Sequence, residues 1–310
     1  MRTALALLLT LLLCSACSRP ENSDLRTTKL RIVTSLFPLY DFARAIGGEE
    51  VEVSLLLPPG VEAHSFDPKP DDILRVNRAG LFIYTNKALE KWAVTIAASV
   101  DPGRVLIVDA SAGAHFLPAR GHEEGGDAHD HAGTAIDPHL WLDFANAQIM
   151  VKNIAKAMAE KDPAHRDLYF DNAAAYNARL DNLDTEYRTV LATCQKRTLL
   201  QGGHFALGYL AARYHLDYHA AATVNPEAEP TAATMAALVK EMRGQDLHYL
   251  FSEELVSPKL AETIAKEGGG SVLLLSAAHN VSKMDLERGI TFIEIMERNL
   301  KNLQIGLECR

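Results

Sequence analysis

Cysteine is scarce in this sequence, with four in 310 residues, and two of these lie within the first 17 positions. The other two, Cys194 and Cys309, are far apart, and no CxxC pair occurs after residue 17. This scarcity argues against a metal site built from cysteine thiolates. In an oxidising compartment Cys194 and Cys309 could instead pair as a disulfide, and the sequence leaves open whether they meet.

An excess of positive charge is also missing. The 31 Lys and Arg residues are outnumbered by 40 Asp and Glu residues, which gives a formal net charge of −9. An acidic chain of this kind argues against nucleic acid or an anionic lipid surface as its main binding partner.

The sequence further lacks the HExxH motif of zinc metalloproteases, and no carboxylate stands clearly as a general base. Both absences count against a secreted zinc hydrolase, which is kept as the alternative from a different functional class. An adhesion or interaction protein is a third class, and it would need an exposed apolar patch that a sequence does not reveal.

A long apolar run occurs at the N-terminus, in "MRTALALLLTLLLCSACS". One Arg, a short apolar stretch and small residues before a cysteine are typical of a secretory signal peptide, and the run is too short for a stable membrane span. The small residues before Cys17 resemble a bacterial lipobox, although Cys14 stands where Leu is usual. We therefore predict a signal peptide and polar tether over residues 1–28, with Cys17 lipidated at a periplasmic or cell-surface membrane; ordinary secretion is the alternative.

From Lys29 onward, β-rich runs alternate with helical patterns. Four predicted strands lie in "LRIVTSL", "VEVSLLLP", "LFIYT" and "RVLIVDAS", with helices between them. The same layout restarts at "RTLLQGG", without a detectable sequence repeat. Such alternation predicts parallel sheets covered on both faces. We therefore expect an α/β fold of two lobes, residues 29–143 and 197–310, each a mainly four-stranded parallel sheet flanked by helices.

Residues 144–196 predict two linking helices. In the second, Leu and Tyr recur at helical spacing with charges between them, and Pro163 suits a first helical turn. A helix from about Pro163 to Thr193 would be on the order of 45 Å long. We expect this single long, rigid helix to join the lobes and to restrict how far they close.

Four histidines follow predicted strands or precede predicted helices: His64, His139, His204 and His279. Ligands of open α/β sheets bind beyond the carboxyl ends of the strands, so these loops should converge on one cleft. Taken singly, each is explained as an ordinary loop histidine. Together they favour a metal site, because neutral imidazole is the commonest metal ligand and three or four such ligands suit tetrahedral zinc.

Five segments resemble those of a known family: "LPPGVEAHSFDPKPDD", "DPHLWLDFANA", "GGHFALGYLAARYHL", "NPEAEPTAATMAALV" and "FSEELVSPKLAETIAKEGG". They are similar to the metal-binding receptors of ABC importers for zinc and manganese, a class built from two lobes joined by one long helix. The resemblance extends from about Lys29 to Leu303. It implies that His64, His139 and His204 are metal ligands.

The fourth ligand stays open. Many members of the family supply a carboxylate from the loop after the last strand of the second lobe, where this chain has Ser276. His279, a bound water or a carboxylate such as Glu253 could take that position. Histidine ligands without an obligatory carboxylate favour zinc, because manganese is a harder cation that prefers more oxygen ligands.

A Gly-, His- and acid-rich segment precedes the second ligand, at about residues 115–135. Zinc receptors of this class often carry such a loop, and here its histidines are His115, His122, His129 and His131. We interpret it as an auxiliary zinc-gathering loop; a solvated insertion is the alternative.

The resemblance implies a receptor that captures Zn(II) outside the inner membrane and delivers it to an ABC-type permease, without catalysing a reaction. We expect a monomer. A manganese or iron receptor of the same fold is the alternative within the class.

Overall fold

The computed structural model describes residues 29–119, 136–224, 229–254 and 257–310. Four residues singled out above lie outside these ranges: Cys17, His122, His129 and His131. The predicted signal peptide and tether over residues 1–28 lie outside them as well. Among the described residues, no helix combines the length and the apolar character needed to cross a membrane.

The N-terminal lobe alternates strands and helices. Its elements are β1 (Leu30–Thr34), α1 (Phe37–Gly47), β2 (Val51–Leu55), α2 (Pro70–Asn77), β3 (Leu81–Tyr84), α3 (Lys91–Ser99) and β4 (Leu106–Asp109). The strands form one parallel sheet in the order β2-β1-β3-β4. In β3, Leu81 and Ile83 join one hydrophobic cluster while Phe82 joins another. Helices therefore cover both faces of the sheet, which is why its strands are apolar without alternation.

The C-terminal lobe repeats this layout. Its elements are β5 (Thr198–Gln201), α6 (Gly208–Arg213), β6 (Asp217–Ala220), α7 (Ala232–Gly244), β7 (Tyr249–Ser252), α8 (Lys259–Gly268), β8 (Ser271–Leu274), α9 (Lys283–Glu287) and α10 (Phe292–Gly306). The parallel strand order is β6-β5-β7-β8. The prediction of two four-stranded parallel sheets is confirmed. The exact lobe boundaries, residues 29–143, 144–196 and 197–310, stay predictions.

Two helices connect the lobes: α4 (Phe144–Lys161) and α5 (Arg166–Leu191). The predicted long helix is present, with two differences at its ends. Its first turn, Pro163–His165, is a 3₁₀ turn, and α5 ends at Leu191. Its 26 residues span about 39 Å at the usual helical rise.

Helix α5 contacts both lobes through buried tyrosines. The hydroxyl of Tyr176 donates to Asp41 of α1, at 2.6 Å, and the hydroxyl of Tyr187 donates to the carbonyl of Met296 in α10, also at 2.6 Å. The backbone N–H of Phe292, at the start of α10, donates to the same Asp41. One hydrophobic cluster includes residues of both lobes and of the linking helices. The lobes therefore share a continuous core.

Loops also join the lobes beside the cleft. Asn280 of the C-terminal lobe donates its side-chain amide to the carbonyls of Pro58 and Val61, at 2.8 and 2.7 Å. The indole N–H of Trp141 donates to the carbonyl of Ala277, 2.7 Å away. These contacts fix the loops that enclose the cleft.

A disulfide joins Cys194, just beyond α5, to Cys309 at the end of the chain. Its partners are 115 residues apart in sequence. The bond therefore closes the whole C-terminal lobe into one covalent loop.

Candidate metal centre

Three histidines reach the cleft from three different loops. His64 lies between β2 and α2, His139 directly precedes the one-turn 3₁₀ helix Leu140–Leu142, and His204 follows β5. Because parallel strands end at the same edge of a sheet, loops that are distant in sequence meet there. The structure thus brings together three of the four histidines that the sequence singled out, and these are the three that the family resemblance implied as ligands.

The three imidazole rings are close enough to share one atom. Their ring centroids lie 5.5 Å (His64–His139), 5.8 Å (His64–His204) and 5.3 Å (His139–His204) apart. One nitrogen from each ring lies within 4.8 Å of the other two. The Nε2 atoms of His139 and His204 are 3.3 Å apart. Tetrahedral Zn–N bonds of about 2.0–2.1 Å place two ligand nitrogens roughly 3.3 Å apart, so this spacing fits zinc.

A carboxylate orients each of the two buried rings. Nδ1 of His139 lies 2.8 Å from Asp137 Oδ1, and Nδ1 of His204 lies 2.8 Å from the Glu253 carboxylate. A carboxylate only accepts, so each Nδ1 carries the proton and each Nε2 is left free for a metal. In both pairs the same carboxylate also accepts the backbone N–H of the histidine, at 3.0 Å.

In this arrangement Glu253, considered above as a possible fourth ligand, contacts His204 from the side away from the shared position. Its carboxylate binds the ring nitrogen of His204 that points away from His139, and it is not among the described groups of side chains close enough to share a metal. Glu253 is buried, with 4% of its surface exposed. Its position assigns it to orienting His204.

His279 lies at the edge of the cluster. Its ring centroid is 6.1 Å from that of His204, and its Nδ1 is buried without a hydrogen-bond partner in the described part of the chain. Its Nε2 lies 4.0 Å from Glu62. His279 is not one of the three side chains whose ligand atoms all lie within 4.8 Å of one another.

Ser276 shapes the loop that carries His279. Its hydroxyl accepts the backbone N–H of Ala278, and its backbone N–H and carbonyl are both bound by the side chain of Asn299. The backbone N–H, the carbonyl and the hydroxyl of Ser276 therefore all have partners within this loop and the helix beside it.

His115 is exposed, and its backbone is bound by Asn146.

Glu62 and Asp137 were missed by the sequence reasoning. Each stands two residues before a histidine, in "EAH" and "DPH", and its carboxylate accepts that histidine's backbone N–H. Acidic side chains commonly bind a backbone N–H two residues on, so this local pattern could have identified them. Glu253 has no such signal, because 49 residues separate it from His204.

Burial in the cleft favours the neutral form of His64 and His279. Burial, together with the neighbouring charges of His139, His204 and His279, lowers the pKa of His64 to about 2. Burial also lowers the pKa of His279 to about 4, against the opposing charge of Glu62. Neutral imidazole is the form that binds metals.

The pKa of His204 shifts in the opposite direction from those of His64 and His279. Burial lowers its pKa, but the hydrogen bond and the charge of Glu253 outweigh burial and raise the pKa above its ordinary value. In turn the pKa of Glu253 is lowered, because burial, which raises it, is outweighed by the bond to His204 together with the charges of His204, His279 and His139.

A second group of potential ligands lies on the surface of the C-terminal lobe. His219 of β6 contacts Asp217 through Nε2, at 3.1 Å, and Glu241 of α7 through Nδ1, at 3.5 Å. Carboxylates occupy both of its ring nitrogens, and Asp217 and His219 are exposed. Only the cleft cluster combines burial with free ring nitrogens among the described residues.

The chain also matches known proteins. Residues 32–306 match the model of a family described as zinc-uptake complex component A, periplasmic (ZnuA). The chain is 34% identical over 296 residues to the "High-affinity zinc uptake system protein ZnuA" of Bacillus subtilis, covering 95% of this chain and 92% of that protein.

Two further relatives come from Streptococcus pneumoniae. The "Zinc-binding lipoprotein AdcA" is 33% identical over 293 residues, which cover 93% of this chain but only 57% of that longer protein. The crystal structure of the Zn(II)-bound ZnuA-like domain of AdcA superposes with a TM-score of 0.76 at 30% identity, covering 90% of this chain and 99% of the domain.

Proposed function

This chain belongs to the ZnuA family of zinc-uptake components, and we propose that it captures Zn(II) with high affinity outside the inner membrane and delivers it to an ABC-type permease. The observation that carries this proposal is the 3.3 Å spacing of two buried Nε2 atoms, one from each side of the cleft, with a third imidazole beside them. This spacing suits one tetrahedral zinc ion.

The proposed ligands are Nε2 of His139, Nε2 of His204 and a ring nitrogen of His64. Asp137 and Glu253 hold the first two rings in the required tautomer. We assign the fourth position to His279, because its Nδ1 is buried and unpaired beside the cluster. A bound water is the alternative for that position.

Zinc is favoured over manganese or iron by the chemistry of this ligand set. Imidazole nitrogen suits zinc, whereas manganese prefers carboxylate, carbonyl and water oxygens. The carboxylates of the site hold the histidines instead of facing the shared position. In a competition of Zn(II) against Mn(II), we expect zinc to displace manganese; a preference for manganese would contradict the assignment.

Capture and delivery need no reaction, so the proposed role is that of a receptor and not of an enzyme. Lipidation of Cys17 would tether the receptor to the membrane, at the periplasmic side or the cell surface, close to its permease. The auxiliary loop, at about residues 115–135, would gather zinc for the site. We propose that the receptor acts as a monomer.

The test is elemental analysis of the purified chain together with single alanine substitutions of the proposed ligands. We expect one tightly held zinc in the wild type, and losses of zinc affinity of tenfold or more in His64→Ala, His139→Ala and His204→Ala. His219→Ala is the matched control, because His219 also contacts carboxylates but lies on the surface. Unchanged zinc content in all three ligand variants would refute the site.

A further inference from the structure

The turn between β3 and α3 contacts the chain beside His139. Asn86 is buried, and its side-chain N–H donates to the carbonyl of Pro138, 3.2 Å away. Pro138 directly precedes His139. The other end of the Asn86 amide accepts the backbone N–H groups of Ala88 and Leu89, at 2.9 and 3.0 Å. Because both ends of the amide are bound, its donor is fixed against Pro138.

The start of α3 contacts the chain beside His64. The indole N–H of Trp92 donates to the carbonyl of Ala63, 3.0 Å away, which is the residue before His64. The ring of Trp92 also lies edge-on to the ring of Phe66, with centroids 4.9 Å apart and planes at 79°. Trp92 therefore contacts the chain on both sides of His64, through the backbone of Ala63 and the side chain of Phe66.

Glu90 makes the turn between these two contacts rigid. Its Oε2 accepts the backbone N–H of Thr85, at 2.6 Å, and that of Asn86, at 3.3 Å. Glu90 is the residue directly before α3, and its side chain is fully buried. A buried carboxyl group that accepts two backbone N–H groups holds the turn in place.

We propose that Asn86 and Trp92 are positioning residues that set the spacing between His64 and His139. One short segment thereby fixes two of the three proposed ligands, although 75 residues separate them in the sequence. This inference rests on the function proposed above and adds how the N-terminal lobe prepares its half of the site. Residues that orient metal ligands typically contribute tenfold to a hundredfold in metal affinity. Asn86 and Trp92 act through the backbone, so we expect the lower end, about tenfold each.

Two conservative substitutions in the full-length chain test the proposal. Trp92→Phe removes the N–H donor to Ala63 and keeps an aromatic ring against Phe66. Asn86→Asp removes the N–H donor to Pro138 and keeps an acceptor for the turn. If one variant fails to fold, the other still tests its own ligand.

Asn153→Asp is the matched control. The side-chain N–H of Asn153 also donates to backbone carbonyls of the same lobe, those of Ala110 and Ala112. It contacts neither ligand-bearing segment in the described structure. The same chemical change is thus made where no ligand is held.

Zinc affinity is measured by competition with a chelator, and ligand geometry by the visible absorption of the Co(II)-substituted chain. We expect affinity losses of about tenfold and an altered cobalt spectrum in Trp92→Phe and Asn86→Asp. The control should retain the wild-type affinity and spectrum. Losses no larger than in the control would overturn the proposal.

Double variants show whether each residue acts through its own histidine. In the His64→Ala background, Trp92→Phe should cause no further loss, whereas Asn86→Asp should still weaken binding. In the His139→Ala background the pattern should reverse. Equal losses in both backgrounds would indicate a general structural role and overturn the proposal. A wild-type chain that binds no zinc would instead refute the proposed function.

Discussion

Nε2 of His139 and Nε2 of His204 lie 3.3 Å apart, although 65 residues separate the two histidines in the sequence. Nδ1 of each ring, on the side away from the other histidine, bonds to a buried carboxylate: Asp137 for His139 and Glu253 for His204. The two nitrogens are therefore held at a metal-binding distance by the fold itself. Such preorganisation lowers the entropic cost of binding.

Zinc affinity is expected to fall as the pH is lowered, beginning above pH 6.5, the ordinary pKa of histidine. Zinc needs neutral His204, and Glu253 raises the pKa of that ring, so protons compete with zinc at a higher pH than an unperturbed histidine would allow. Below its pKa the affinity should drop by about tenfold per pH unit, because one proton must be displaced. The measurement is the dissociation constant between pH 5.5 and 8.5.

Glu253→Gln is the matched variant for this pH dependence. Without the carboxylate charge, the pKa of His204 falls, and the loss of affinity should begin at a lower pH. At pH 8 the variant should bind more weakly than the wild type, because the ring is less firmly oriented. An unchanged onset would contradict the role assigned to Glu253.

Glu90→Gln is expected to change how stability depends on pH. Burial raises the pKa of Glu90 from 4.5 to about 7, against the backbone N–H groups of Thr85 and Asn86 that lower it. Between these two values the folded state holds a proton that the unfolded state has lost, so this carboxyl's contribution to stability falls as the pH rises. Over this pH range the free energy of unfolding should fall by about 3 kcal/mol because of this one group. Glutamine does not titrate and should remove it.

Urea unfolding of the zinc-free chain at pH 5 and pH 8 measures this effect. The wild type should lose stability relative to Glu90→Gln between the two pH values. A constant difference between the two proteins would show that Glu90 does not titrate in this range.

Asn280→Ala is expected to lower both stability and zinc affinity. It leaves the carbonyls of Pro58 and Val61 without their side-chain donor, and such losses cost about 1–3 kcal/mol. These carbonyls belong to the loop that carries His64, so affinity should fall as well. Asn153→Ala is the control and should lower stability without changing affinity. Thermal unfolding and chelator competition separate the two effects.

The disulfide between Cys194 and Cys309 is expected to stabilise the fold without affecting the metal centre. Replacing both cysteines by serine should lower the free energy of unfolding by about 2–4 kcal/mol, since a long loop is no longer closed in the unfolded chain. Zinc affinity should be unchanged, because neither cysteine belongs to the histidine cluster. A large loss of affinity in the refolded variant would contradict this separation.

The sequence predicted the architecture well because its periodicity is strong. Apolar runs such as "LFIY" mark strands buried on both faces, and helices between them require parallel pairing. His64, His139, His204 and His279 could be selected as candidates because each follows or precedes an element at the edge where loops converge. The narrower set of His64, His139 and His204 came from the family resemblance.

The supporting contacts could not be read in the same way. Asn86 meets Pro138 across 52 residues, and Trp92 meets Ala63 across 29. Neither pair has a local sequence pattern, because backbone carbonyls accept from any donor that the fold brings near. The fourth ligand stayed open for a similar reason: the path of its loop depends on Asn299, a residue of a distant helix.

Helix α5 carries Tyr176 and Tyr187 into the interior of both lobes. Swinging one half of the molecule away from the other would expose these rings and break their hydrogen bonds, at a cost that thermal motion rarely meets. We therefore expect a bound ion to leave by displacement of the surrounding loops and not by separation of the lobes. On this expectation, the partner that receives the ion has to displace those loops, and the free receptor should release its ion slowly.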